Sequence, residues 1–518
     1  MGQSHMDTLS VVDTSFLNLE SGTTHMHVGG ISIFEGPSLD CGELFEHVES
    51  RLHLVPRYRQ KVMWPGLELG RPMWVDDPCF NLDYHVRHTA LPQPGTRNQL
   101  RNLAARVFSQ QLDRTKPLWE MWLVDGMEDD QFAVISKTHH ALIDGMSGVD
   151  LLALLFDVTP QPREVEPPEK PWQPAPAPSG VALKATAAQE IATRPYRIVR
   201  KAARAVATPQ RTAATVAEGV QGIRDLLIGP MLSPAPDIPL NTSTSPHRRI
   251  AWKSFELADF KAVKNELGGT VNDVVLTVVS GALREWLRKR GVRTEGLELR
   301  AMVPVSTRTE DQRHKLGNQV AAMRAPLPVY AEDPAQCLGV VREQMSNLKE
   351  SKQALGADVL AGLQEFAPPT LLAMGSRINF STRLFNTIVT NVPGPQMPIY
   401  LLGREMDEMV PLGFLAEGHT VFFAIMSYNG KLDISLLGDR EALEDIDDLA
   451  DGLERALDGL KAAAQITTTK KQDAATDKRS TTAGSSRSRG ATKAKSKSKT
   501  KTRARAAATS GSNGRAAH

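Results

Sequence analysis

Two adjacent histidines, His139 and His140, stand four residues ahead of Asp144 and Gly145 in KTHHALIDGMSG, residues 137–148. The apolar run before them, residues 132–138, reads as a strand. Ser147-Gly-Val-Asp150 after them is a capping-box pattern that opens a helix through Leu155. The histidines are therefore expected at a strand end, with Asp144-Gly145 in the turn before a helix. In α/β sheets that is where ligands and reactive groups gather. Consecutive residues leaving a strand point to opposite sides, so one imidazole faces a cavity while the other packs inward. That divergence disfavours a shared metal ion.

An imidazole with its ordinary pKa of about 6.5 is largely neutral at neutral pH and able to take a proton from a hydroxyl. It does not ionise an alcohol in advance. Proton transfer accompanies attack, an effect worth roughly 10²–10⁴ in rate. Such a base suffices when the electrophile is already activated, as a thioester is. Asp144 is suited to hold the turn by hydrogen bonds or by pairing with an arginine, and Gly145 permits a backbone shape that a side chain forbids. Histidines at a strand end also serve packing alone. The order H-H-x-x-x-D-G, with a strand before and a capped helix after, is what makes the pattern specific. The chain lacks G-x-S-x-G, a P-loop, G-x-G-x-x-G and H-E-x-x-H.

The elements that position these residues belong to a long chain. Its 518 residues suggest two to four domains, and 41% hydrophobic residues suffice for substantial cores. Cys41, Cys79 and Cys337 are odd in number and far apart, which suggests a reducing compartment rather than a disulfide framework or a zinc knuckle. No run of 18 apolar residues predicts a membrane-spanning helix. The opening MGQSHMDTLS has no apolar signal core, and export by that route is not expected.

The net charge of +2 conceals an asymmetry. Residues 470–518 hold 14 Lys/Arg against Asp473 and Asp477, which leaves 47 basic and 57 acidic residues in the first 469. The tail lacks the large apolar residues needed to offset ordering entropy and is expected to be disordered. It suits an anionic lipid surface or nucleic acid, although the lack of interleaved aromatics argues against sequence-specific recognition. A dispensable solubilising extension would have the same composition.

Proline density at residues 160–178 marks a linker rather than a packed element. Residues 180–232 read as Ala-rich helices, with Arg194, Arg197, Arg200, Lys201 and Arg204 among apolar residues. They are read as a connecting helix pair, with a basic membrane-surface helix as the alternative. THMHVGGISIF alternates like a half-buried strand, and FAVISKTHH reads as a central one. VFFAIMSYNGKLDISLL is a hairpin turning at Asn429-Gly430. Leu443, Ile446, Leu449, Leu453, Leu457 and Leu460 form the apolar stripe of a helix near residues 441–464.

H-H-A-L-I-D-G matches the signature of the CoA-dependent acyltransferase superfamily, which includes chloramphenicol acetyltransferase and peptide-synthetase condensation domains. Other stretches resemble the bacterial wax ester synthase/diacylglycerol acyltransferase family. They are D-T-S-F-L-N-L-E (Asp13 to Glu20), M-H-V-G (Met26 to Gly29), P-L-W (Pro117 to Trp119) and V-N-D (Val271 to Asp273). V-P-V-S-T-R (Val303 to Arg308), G-N (Gly317-Asn318) and N-V-P-G-P (Asn391 to Pro395) follow. They keep the family's order over about residues 8–460. Thr390 departs from the serine that the family often has there.

The resemblance implies an α/β (α+β) fold of two chloramphenicol-acetyltransferase-like lobes, each a mixed sheet with flanking helices, around an active-site tunnel. The lobes would span 1–159 and 247–466, with a connector at 160–246 and a disordered tail at 467–518. His140 would be the general base, His139 would support the site, and Asp144 would be structural, with Gly145 shaping the turn and Arg308 as the suggested ion-pair partner of Asp144. Asn272 and Asp273 would line the tunnel. Asn272 would steady the substrate or oxyanion, while Asp273 is equally suited to capping its helix. Asn391 would lie in a rigid loop, and Trp119 would serve packing.

The implied reaction moves a long acyl chain from acyl-CoA to diacylglycerol or a fatty alcohol, without a covalent acyl-enzyme, metal or resident cofactor. It would take place in the cytoplasm at the inner membrane face or a lipid-droplet surface. The rival readings are acylation of another alcohol, and a catalytically silent protein that binds lipid surfaces or nucleic acid.

Overall fold

The computed structural model describes residues 7–65, 70–143, 155–180, 183, 234–306, 320–350 and 380–465. They lie in the unit Met1–Thr467. Its strands are β1 (Asp7–Thr8), β2 (His27–Phe34), β3 (Gln60–Met63), β4 (Met73–Asp76), β5 (Val86–Ala90), β6 (Trp119–Asp125) and β7 (Phe132–His139). They continue as β8 (Arg248–Glu256), β9 (Leu299–Ser306), β10 (Val320–Leu327), β11 (Thr387–Pro393), β12 (Tyr400–Leu401), β13 (Arg404–Leu412), β14 (Val421–Tyr428) and β15 (Lys431–Asp439).

One six-stranded sheet runs β12-β13-β2-β7-β6-β5 and the other β10-β9-β11-β14-β15-β8. Both are mixed: β5 is parallel to β6 in the first, and β11 is parallel to β9 and β14 in the second. The expected class of mixed sheets with flanking helices is what the structure shows. The chain segments do not divide as the sheets do, however. β13 leaves the C-terminal segment and pairs antiparallel with β2, with Val410 opposite Ile31. Its bonds cover an edge of β2 that would otherwise be open.

Local sequence explains the elements nearest the histidines. β7 is central in its sheet and apolar on both faces, which is why it reads as a nearly continuous hydrophobic run. Asn429 (φ 44°) and Gly430 (φ 85°) both take the left-handed region, and Tyr428 pairs with Lys431, as the expected two-residue turn requires. All six residues of the predicted apolar stripe are buried. Their helix starts at Ile446 rather than near residue 441, because Asp439 Oδ1 accepts from the Glu441 and Ala442 N–H groups and holds a turn there.

The proline-rich segment is mostly exposed yet strapped to the body at several points. Asp157 pairs with buried Arg51 at 3.0 Å and bridges to Tyr400. Trp172 meets the Phe80 ring edge-on at 6.1 Å and carries Arg59 over its own ring. The Ala175 N–H donates to Asp76 Oδ2 at 3.0 Å. Extended, proline-rich chain makes no internal hydrogen bonds. Proline density therefore ruled out helix and sheet without ruling out packing. The capped helix expected from Ser147 lies outside the described residues apart from Leu155, as do nearly all of the Ala-rich stretch and the basic tail.

A core cluster draws on both sheets: Phe16, Ile31, Ile135, Ile250, Phe414, Phe422 and Leu437 all belong to it. β2 and β7 approach so closely that a Cβ on Gly29 would lie 1.8 Å from the Ser136 carbonyl oxygen. Gly29→Ala is expected to lower stability by about 3 kcal/mol in urea unfolding. Gly22→Ala, where a Cβ meets nothing within 4 Å, should stay within about 0.5 kcal/mol of the parent. Equal, small effects would contradict the close β2–β7 approach.

Candidate active site

The end of β7 is held from both sides. The His139 N–H donates to the Leu118 carbonyl at 2.9 Å, and the His140 N–H donates to the Met26 carbonyl at 2.8 Å. Leu118 leads into β6 and Met26 into β2, the two neighbours of β7. His140 opens a short helix, His140–Ile143. Strand geometry ends between the two residues, and their side chains meet different surroundings.

His139 is fully buried. Its Nδ1 accepts from the Ala141 N–H at 3.1 Å, so the neutral ring carries its proton on Nε2. That nitrogen faces Glu20 Oε1 at 3.7 Å, beyond direct hydrogen-bond length. Burial, reinforced by the charges of Arg114 and His140, pushes its pKa down to about 3. His139 is neutral at physiological pH and is engaged in fixing the backbone. Glu20 is held in turn by Arg114 at 2.6 Å, and its Oε1 accepts from the Met26 N–H at 3.4 Å. One buried carboxylate thus stands behind both His139 and the residue whose carbonyl holds His140.

His140 is half-buried. Its ring stacks on Phe16 at 4.0 Å and 24°, and meets Phe414 edge-on at 5.8 Å and 88°. Phe16 comes from the helix Val11–Leu19, whose start is fixed by a Ser10/Asp13 capping box. Phe414 follows β13 and packs on Phe422 and Phe380. The imidazole is therefore oriented by aromatic walls contributed by two distant parts of the chain. Met26 also lines a cavity of about 270 Å³ together with Leu19, Phe380 and Ala416.

The second predicted motif meets a third. Asn391 Nδ2 lies 3.5 Å from Asn272 Oδ1, so the V-N-D and N-V-P-G-P stretches meet. Asn391 lies on β11 opposite Ile425 of β14, which makes its surroundings a strand instead of the expected loop. Asp273 Oδ2 accepts from the Thr270 N–H and Oγ1, both at 2.8 Å, in the capping box of Val271–Lys289. Trp119 is buried, stacks on His85 at 4.6 Å and donates to the Tyr58 carbonyl. Asp144, Gly145 and Arg308, and with them the suggested Asp144–Arg308 pair, lie outside the described residues. Among the described residues no three of His, Cys, Asp and Glu form a group able to hold a metal ion.

Glu20, Arg114, Phe16 and Phe414 are the positioning residues that local reading missed. Glu20 and Phe16 stand inside the D-T-S-F-L-N-L-E stretch, but nothing in their spacing from His139 signals contact across more than a hundred residues.

A family model for the wax ester synthase/diacylglycerol acyltransferase catalytic domain matches residues 9–275, and one for the corresponding C-terminal domain matches 316–461. The chain belongs to this family. It is an acyltransferase, and the first match contains both histidines and the V-N-D stretch. Two Mycobacterium tuberculosis proteins, each named "probable diacylglycerol O-acyltransferase", are 31% identical over 464 residues and 32% identical over 474. Each alignment covers 89% of this chain, and 97% and 100% of those proteins. The wax ester synthase/diacylglycerol acyltransferase of Marinobacter aquaeolei VT8 superposes with a TM-score of 0.61 at 26% identity, over 89% of this chain and all of that one. The starter condensation domain of rhizomide synthetase shares the fold at 13% identity, with a TM-score of 0.54 over 89% of this chain and 95% of its own.

The buried imidazoles make stability depend on pH. Burial lowers His25 and His85 to about 4, as it lowers His139 to about 3. Between pH 6.5 and 5 these rings stay neutral in the folded protein while the unfolded chain takes up protons, so stability falls as pH falls. Asp433 works the other way. Burial raises it to about 6, so its contribution is present at low pH and lost as pH rises through 6. Burial lowers His27, His47 and His419 as well, so the histidines outweigh Asp433, and the urea midpoint is expected to be lower at pH 5 than at pH 7.5. An unchanged or higher midpoint would contradict neutral burial of these histidines.

Proposed function

We propose that the protein transfers a long acyl chain from acyl-CoA to the free hydroxyl of diacylglycerol, giving triacylglycerol, and that a fatty alcohol in the same place gives a wax ester. The observation that carries this reading is the contrast between the two histidines: His139 is sealed and neutral, while His140 is half-buried between Phe16 and Phe414, on a backbone bond to Met26. His140 takes the hydroxyl proton as the oxygen attacks the thioester carbonyl. The tetrahedral intermediate collapses with cleavage of the carbon–sulfur bond, and the proton passes to the departing thiolate of CoA. No acyl-enzyme forms and no resident cofactor takes part; CoA is the carrier of the substrate.

Asn272, with Asn391 beside it, steadies the oxyanion or the substrate. Asp144 pairs with Arg308 and holds the turn after the histidines. The enzyme works at the inner face of the membrane or at a lipid-droplet surface, with the basic tail on anionic lipid. The insolubility of the product supports that placement. Among the described residues no helix is long and apolar enough to cross a membrane.

The test is release of CoA thiol from palmitoyl-CoA with diacylglycerol, hexadecanol or no acceptor. Acceptor-dependent release is expected, with His140→Ala lowering kcat/KM by about 10²–10⁴. Release that needs no lipid acceptor, or that survives in His140→Ala, would overturn the reading. In the same assay Asp144→Ala and Arg308→Ala should lose activity equally and the double variant no further; additive losses would remove the pair. Loss in Asn272→Ala should fall on kcat rather than KM, and an unchanged kcat would remove its oxyanion role. Deleting residues 467–518 should abolish binding to anionic vesicles and leave turnover in micelles unchanged. Vesicle binding that persists would move the membrane contact to the body.

A further inference from the structure

A second cavity, of about 320 Å³, lies where the helix Arg97–Phe108 meets β8. Asn98, Arg101 and Asn102 line it from the helix, Arg248 and Arg249 from the strand, and Arg440 from the turn after β15. Four guanidinium groups converge here with no lysine among them.

Their partners show where charge is left over. Arg248 forms part of the lining from within: it is 2% exposed, with donors on the Ser245, His247 and Thr23 carbonyls and Asp439 at 4.0 Å. Arg101 is paired with Asp447, which also lines the cavity, and donates through Nε to the Ile250 carbonyl. Among the described residues the Arg249 side chain bonds only a carbonyl, that of Glu444 at 2.9 Å. Among the described residues neither Arg249 nor exposed Arg440 has a carboxylate within ion-pair reach. Two fixed positive charges therefore face one concavity uncompensated.

We propose that this pocket binds a phosphate monoester. Forked planar donors match tetrahedral phosphate oxygens in a way that a point-like ammonium does not, and a bound dianion cancels the repulsion between Arg249 and Arg440. The volume admits a phosphate together with part of its organic group. Two sources carry this chemistry: the nucleotide end of the acyl donor and the headgroup of an acidic lipid. The first rests on the proposed acyl-CoA reading. The pocket adjoins the loop before β2 through Arg248, whose Nη2 holds the Thr23 carbonyl, three residues from the Met26 carbonyl that accepts from the His140 N–H.

Calorimetric binding at constant ionic strength tests this with no acceptor present, so a wrong assignment of the reaction does not affect the readout. The probes are CoA, dephospho-CoA, and soluble dihexanoyl phosphatidate and phosphatidylcholine. Arg249→Gln/Arg440→Gln is expected to weaken binding of one monoester by about tenfold or more per arginine. Exposed Arg106→Gln, outside the pocket, should change nothing. Arg440→Gln alone, at a solvent-facing side chain, keeps the test open should the double variant fold poorly, and is expected to show its own tenfold share. Loss for CoA with dephospho-CoA unaffected assigns the donor nucleotide; loss for phosphatidate with phosphatidylcholine unaffected assigns the lipid headgroup. Equal binding of both monoesters by the parent and the variants, or no binding of either by the parent, overturns the proposal.

Discussion

Two backbone hydrogen bonds at the end of β7 determine what the histidines are able to do. With His139 tied to Leu118 and His140 to Met26, the strand end cannot rotate, and two residues of one type acquire different fates. His139 stays inside, neutral, with its Nδ1 on the next turn of backbone. His140 turns out onto Phe16. A histidine in either position alone would be an ordinary packing residue or an ordinary surface base. The strand end gives the two rings different surroundings.

The rest of the N-terminal sheet reinforces that constraint. Lys137, two residues before His139 and fully buried, donates to the carbonyls of Val107 and Gln110, and His27 Nε2 donates to the carbonyl of Phe108. These cationic and polar groups meet the carbonyl end of the helix Arg97–Phe108, where the helix dipole favours them. That helix also carries Arg101 into the arginine-lined cavity. β7 therefore positions the candidate base directly and the candidate phosphate pocket through one helix. Burial lowers the pKa of His25, His27 and His139, and Phe108 at the end of that helix covers His27.

Much of this was legible in the chain. β7, the Asn429-Gly430 hairpin and the 446–463 helix each follow from periodicity or turn chemistry within a window of some twenty residues, and so does the place of both histidines at the end of β7. What escaped was long-range. β13 pairs with a strand almost four hundred residues upstream, and the strap is held by single contacts from Arg51, Phe80 and Asp76. The Glu20–Arg114 support of His139 leaves no periodic trace either. Asn391 was read as a loop because Pro and Gly follow it, yet parallel pairing with β14 carries the strand to Pro393. Local patterns reveal elements; partners chosen across the core appear only once the chain is folded.

The division of labour between the two histidines is the central claim, and paired substitutions test it directly. Asparagine at 139 keeps an acceptor near the Nδ1 position that holds Ala141, whereas asparagine at 140 removes the base. Acyl transfer from palmitoyl-CoA to diacylglycerol should therefore remain within about tenfold of the parent in His139→Asn and fall by about 10² or more in His140→Asn. The reverse order, or equal losses in two folded variants, would contradict the assignment of His140 as the base and His139 as its support.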